Sequence, residues 1–106
     1  MDLIQKKCLP CEGGVPKLNA EEAQGLLQQV TGWRIQEEKL HKLFKFKNFV
    51  QAMEFLNKVA EIAEGENHHP DFTVHYNRVE FTIWTHAIDG LSENDFILAA
   101  KINAIS

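Results

Sequence analysis

Three times along this chain an Asn or Ser is followed, three residues later, by a carboxylate or amide side chain: Asn19 and Glu22, Asn48 and Gln51, Ser92 and Asp95. That is the spacing of a capping box. The first side chain takes an amide of the opening helical turn, and the second reaches back to the cap's own amide. Apolar residues at helical period follow each pair. Ala23, Leu26, Leu27 and Val30 form the first stripe and Gly32 offers a left-handed stop, which predicts a helix over 20–31. Phe49, Ala52, Met53, Leu56, Val59, Ala60 and Ala63 form the second, predicted to end at Gly65. Ile97, Leu98, Ile102 and Ile105 form the third.

Between the helices the pattern alternates. Trp33–Glu37 and Leu40–Phe46 read as a hairpin turning at Glu38 and Lys39; Phe72–Tyr76 and Val79–His86 read as a second, with Asn77 and Arg78 as its two-residue loop. The order α-β-β-α-β-β-α predicts an α+β fold of two layers, a four-stranded, mostly antiparallel sheet with three helices on one face. The other face is left for solvent, a partner or a site.

A chain of 106 residues with 44% hydrophobic content can bury one core, and no linker-like stretch divides it. Residues 1–18, which contain Pro10, Gly13, Gly14 and Pro16, predict an extended arm ahead of a single domain over 19–106. A formal net charge of -4, with basic residues scattered apart from Lys42, Lys45 and Lys47, gives no electrostatic footprint for nucleic acid. No apolar run nears the roughly 20 residues needed to span a bilayer, and the start of the chain lacks a secretory apolar region. A membrane-free, cytoplasmic protein is expected, with Cys8 and Cys11 as free thiols.

The second hairpin gathers histidines. If Asn77 and Arg78 form its loop, Val74 faces Phe81, Phe72 faces Ile83, and His69 faces His86, with Cβ atoms roughly 4.5 to 5.5 Å apart. Val79, Phe81 and Ile83, with Phe72, Val74 and Tyr76, then form the core face. His86 falls on the opposite face with Glu80, Thr82, Trp84, Thr73 and His75, a polar surface with one large aromatic wall suited to a planar, hydrogen-bonding heterocycle. The side taken by His68 stays open, because Pro70 interrupts the strand. Substituting histidines on that face is expected to change stability by no more than about 0.5 kcal/mol.

Each of these residues also has a plainer reading. His75 faces Glu80 and makes a surface ion pair; Trp84 is a sheet-surface aromatic; Asp95 caps its helix; Glu64 is a solvated carboxylate at a helix end. The sharper alternatives are that Asp95 contacts a ligand and that Glu64 orients an imidazole. Cys8 and Cys11 have zinc-finger spacing, but His68 and His69 are adjacent rather than three to five residues apart, so no metal site is expected. Nucleotide-binding loops, nucleophile elbows and zinc-protease helices are absent from the sequence.

Glu64, three residues, His68-His69-Pro70, Phe72, Tyr76-Asn77, Thr85-His86, and Gly90-Leu91-Ser92 leading to Asp95 together resemble the pterin-4a-carbinolamine dehydratase family. The likeness extends more weakly through Trp33 and Phe44, Phe46 and Phe49. The Cys8-Leu9-Pro10-Cys11-Glu12-Gly13-Gly14 arm looks like an extension seen in some bacterial and plant members and absent from animal enzymes. The resemblance implies dehydration of 4a-hydroxytetrahydropterin to quinonoid dihydropterin in tetrahydropterin recycling, by a homodimer or homotetramer, with the pterin as substrate and no cofactor. It implies acid and base roles for His68 and His86, and pterin contacts from His69 and from the backbone near Pro70 and Thr85. With Glu64, Trp84 and Asp95 these complete the candidate site. Histidine suits such proton transfers, since its pKa near 6.5 keeps both forms available at neutral pH. Relatives that act as dimerisation or assembly factors, and a link to molybdenum-cofactor metabolism, are the alternatives the resemblance leaves open.

Overall fold

Asn19, Asn48 and Ser92 each open a helix at the predicted place. The structure, a computed structural model, describes residues 3–8 and 16–106. Helix α1 (Ala20–Leu27) carries the full reciprocal box, Asn19 accepting the Glu22 amide at 2.8 Å while the Glu22 carboxylate accepts the Asn19 amide at 3.0 Å. It stops earlier than residue 31, because the Leu26 and Leu27 carbonyls take the Gln29 and Val30 amides and wind the chain into turns. Val30 and Trp33 still enter the core, and Gly32 is left-handed at φ 87°.

In α2 (Phe49–Glu66) the Asn48 side chain accepts the Gln51 amide. The Gln51 side chain reaches one residue further back than a box requires, to the Lys47 amide. The helix continues through Gly65 and ends at left-handed Asn67, φ 54°, whose amide closes on the Ala63 and Glu64 carbonyls. Asn tolerates that conformation almost as Gly does. Helix α3 (Glu93–Ile105) follows Ser92.

The strands are β1 (Arg34–Gln36), β2 (Lys39–Lys45), β3 (Asp71–His75) and β4 (Arg78–Ile83), antiparallel neighbours in the order β1-β2-β4-β3. The first hairpin turns at Glu37 and Glu38, both left-handed, one residue before the expected place. The second turns at Tyr76 and Asn77 rather than Asn77 and Arg78. Asn77 is held there by Phe46, which donates its amide to the Asn77 carbonyl and accepts the Asn77 side-chain amide, each at 2.8 Å. Val74 therefore faces Val79, and Phe72 faces Phe81. The expected pairing was displaced by two positions, which keeps Val74, Val79, Phe81 and Ile83 on the core side because strand side chains alternate, whereas Phe72 and Tyr76, also expected there, are exposed.

Leu40, Phe44, Val79, Phe81 and Ile83 thus point into one core with Phe55, Leu56 and Val59 of α2, Ala23 of α1, and Phe96, Ile97 and Ile102 of α3. The α+β, two-layer fold is as expected. Phe81 meets Trp33, Phe44, Phe55 and Phe72 at ring-centroid distances of 5.6 to 6.3 Å, so truncating it to Ala is of the order of 3–5 kcal/mol. Residues 3–8 are more packed than an extended arm: Leu3–Gln5 form one 3-10 turn and Leu3 is buried in the core. Cys11 lies outside the described residues. No helix among those described is long and apolar enough to cross a membrane.

Candidate active site

The end of α2, the chain after β4 and the start of α3 come together at the rim of the sheet. Left-handed Asn67 turns the chain out of α2, and the His68 amide closes on the Ala63 carbonyl. The imidazole of His68, whose side the sequence left open, is directed inward and is only 6% exposed. Its Nε2 lies 2.6 Å from Asp95 Oδ1.

Asp95 does more than cap α3. Its Oδ2 accepts the Ser92 amide at 2.8 Å and the Thr85 hydroxyl at 2.9 Å, and the carboxylate is fully buried. A hydroxyl has one proton. Since Thr85 gives its proton to Asp95, the 2.8 Å contact between Thr85 Oγ1 and Ser92 Oγ is donated by Ser92. Two oxygens thus receive three donors from two loops, and the His68 ring is held with its proton on Nε2, facing the carboxylate.

Strand β4 ends at Ile83, so Trp84, Thr85 and His86 lie beyond it, and the predicted His69–His86 cross-strand pair does not form. Thr85 instead makes a bridge with Gly90, donating its amide to the Gly90 carbonyl at 2.9 Å. His86 opens a 3-10 turn, His86–Ile88, and is exposed. Its ring stacks on Trp84, with centroids 4.1 Å apart and planes 11° from parallel. Trp84 is therefore the platform of an imidazole rather than a bare aromatic wall, and Lys39 Nζ lies 4.6 Å from the indole centroid. With Thr85 buried between them in sequence, Trp84 and His86 flank the Asp95 network.

His69 leaves the chain on the solvent side and pairs with Glu64, Nε2 to Oε2, the orienting contact that was the sharper reading of Glu64. Glu64, His69, Pro70 and Phe72 share a hollow of about 160 Å³ with apolar residues of α2. A second hollow, about 390 Å³, lies on the open sheet face and reaches Trp84. A larger one, about 590 Å³, is lined by Lys42, Asn103 and Ser106 and contains none of the site residues. His75 faces Arg78, not Glu80, and Glu80 lies 3.7 Å from Arg34. Among the described residues no group of three or more His, Cys, Asp or Glu side chains is placed to hold a metal ion.

Residues 16–105 match the family model described as pterin 4 alpha carbinolamine dehydratase. The chain belongs to that family. Among its relatives, a protein of Nitrosomonas eutropha is 53% identical over 107 residues, covering 98% of this chain and 93% of that one. Another, of Rubrobacter xylanophilus, is 47% identical over 105 residues, covering 98% of each. Both carry the provisional name pterin-4-alpha-carbinolamine dehydratase. The crystal structure of a transcriptional coactivator/pterin dehydratase from Brucella melitensis superposes with a TM-score of 0.82 at 37% identity, over 85% of this chain and 98% of that one. A pterin dehydratase-like protein identified as a RuBisCO assembly factor of the alpha-carboxysome matches with a TM-score of 0.57 at 26% identity, over 69% and 84%. This family member thus shares its fold with proteins described both as a dehydratase and as an assembly factor.

Proposed function

We propose that this protein removes water from a 4a-hydroxytetrahydropterin, giving the quinonoid dihydropterin in a tetrahydropterin-recycling step. The observation that carries the reading is the buried His68–Asp95–Thr85 network beside the Trp84–His86 stack. In the reaction the bond between C4a and the hydroxyl oxygen breaks, a proton joins the leaving oxygen, and a ring nitrogen gives up its proton as the new double bond forms. Acid and base must act at neighbouring atoms. His68, backed by a buried carboxylate, and His86, held flat against an indole, are assigned these two roles. A positioned imidazole contributes on the order of 10² to 10⁴ in rate per transfer. His69, oriented by Glu64, and the main chain near Pro70 and Thr85 are assigned to the pterin, whose planar rings match the exposed face beside Trp84. Acting with no added cofactor and no metal, on a soluble substrate, the protein is assigned to the cytoplasm as a homodimer or homotetramer.

The competing reading is a binding or assembly role, favoured by the neighbour described as an assembly factor. Dehydration of chemically generated 4a-carbinolamine, measured against the uncatalysed rate, separates the two. Acceleration that disappears in His68→Ala/His86→Ala supports the enzyme. Parent protein that leaves the spontaneous rate unchanged overturns it.

A further inference from the structure

Residues 3–8 lie against α3 and the end of α2. Leu3 is buried in the core, Lys6 Nζ meets Glu93 Oε2 at 3.0 Å, and the Cys8 amide donates to Glu66 Oε1 at 2.8 Å. The Cys8 thiol also lies 3.5 Å from the Asn94 carbonyl, which it can reach as a weak donor. The other oxygen of Glu66 takes Lys101 Nζ at 2.8 Å, and the Glu66 side chain is only 9% exposed. One carboxylate thus fastens three parts of the molecule: the N-terminal segment, the end of α2, and the middle of α3.

Its position matters because of what adjoins it. Glu66 is the last residue of α2, two before His68, and Asn94 immediately precedes Asp95. The short His68–Asp95 hydrogen bond joins residues of two different elements, so its length depends on how the end of α2 sits against the start of α3. Such a constellation needs placement to within about 0.5 Å. Between Glu66 and His68 stands a single residue, Asn67, in the left-handed region, which transmits any displacement of the helix end directly to the imidazole.

We propose that Glu66 is a positioning residue for His68: by binding Lys101 and the Cys8 amide at once, it locks α2 to α3 and holds the imidazole on Asp95. The inference rests on the dehydratase reading for its kinetic consequence, but its geometric part stands on contacts alone. The charge on Glu66 is favoured as the clamp requires. Burial pushes its carboxyl up, yet the Lys101 ammonium and the Cys8 amide together hold it below its ordinary range.

The test uses full-length Glu66→Ala, Lys101→Met and Lys101→Arg, followed by steady-state kinetics and by the imidazole N–H proton resonance of His68, at a temperature where each variant is folded. Glu66→Ala is expected to lower kcat about tenfold with KM within about twofold, because displacement of a catalytic group costs rate rather than binding. The His68 resonance should lose its hydrogen-bonded downfield position. Lys101→Met should follow in the same direction, and Lys101→Arg should restore both readouts. If Glu66→Ala does not fold, Glu66→Gln, which keeps an acceptor for Cys8 but loses the ion pair, should show a smaller change of the same kind. A destabilised variant that keeps the parent's kcat and His68 resonance would overturn the proposal, making the clamp structural only. Should the parent show no dehydratase activity, the functional reading fails while the resonance still decides the positioning role.

Discussion

His68 and Asp95 meet at 2.6 Å although 27 residues separate them, and neither reaches solvent appreciably. The histidine enters from the end of one helix and the acid from the start of another. Asp95 therefore serves two purposes with one carboxylate: it closes the first turn of α3 and it holds an imidazole.

Removing that carboxylate should cost stability as well as activity. Asp95→Ala leaves the Ser92 amide, the Thr85 hydroxyl and the His68 ring without their shared acceptor. Orphaned buried donors cost about 1–3 kcal/mol each, partly relieved by relaxation, so a loss near 3 kcal/mol is expected in urea unfolding. Asp95→Asn keeps the shape but turns one acceptor into a donor, and should fall between parent and Ala. A loss below about 1 kcal/mol for Asp95→Ala would contradict the network.

The three site histidines should separate by stability even where they agree in activity. His68→Ala and His86→Ala are each expected to slow turnover by roughly 10² or more. Only His68→Ala should also unfold more easily, by about 1–3 kcal/mol, since it alone is buried among the three and leaves Asp95 short of a donor. His86→Ala and His69→Ala should stay within about 0.5 kcal/mol of the parent, with His69→Ala acting mainly on KM. His75→Ala should change neither quantity. Equal stability of His68→Ala and His86→Ala would contradict the buried placement.

Much of this was legible in the chain. The caps at Asn19, Asn48 and Ser92 and the alternation around Val79, Phe81 and Ile83 prescribe the elements and their faces, because both are local and periodic. The hairpin register was not legible, since it turned on whether Asn77 opened or closed the loop. That depends on Phe46, which is 31 residues away. The burial of His68 was hidden for a similar reason: a Ser-x-x-Asp box shows one carboxylate oxygen in use and says nothing of the other. The Glu64–His69 contact was not decided by the chain, in which a solvated carboxylate at the helix end is the plainer reading and an orienting one the sharper. The Cys8–Glu66–Lys101 clamp carries no motif at all; it exists only where three elements meet.

Self-association should run through the outer side of α2. Phe49, Val50 and Met53 remain exposed there, Val50 at 63%, whereas the apolar positions on its other side are buried. An apolar group of this kind on a small chain marks a contact surface. Light scattering at micromolar concentration is expected to give twice or four times the 12.1 kDa chain mass, and Val50→Glu to lower it. A parent that scatters as a monomer would contradict the assembly.

The Cys8 thiol should be a sluggish nucleophile until the N-terminal segment lifts. Burial pushes its pKa up from 9.0 to about 12, and the neighbouring Glu66 charge adds to the rise. The thiolate, the reactive form, is correspondingly scarce at neutral pH. Because the folded pKa lies above the unfolded one, the stability linked to Cys8 is fully present below pH 9.0 and is lost as pH rises from there towards about 12. Glu66 runs the other way: its folded pKa lies below 4.5, so its contribution is present above that pH and is lost on acidification. The segment should therefore be held best between these limits and released at both extremes. In a Cys11→Ser background, iodoacetamide should modify Cys8 much more slowly at pH 8 than it modifies a small-molecule thiol. Glu66→Gln should speed the reaction by removing the negative charge that suppresses the thiolate, although Gln keeps an acceptor for the Cys8 amide. Modification of the parent at the free-thiol rate would show that the segment does not rest on α2 and α3 in solution.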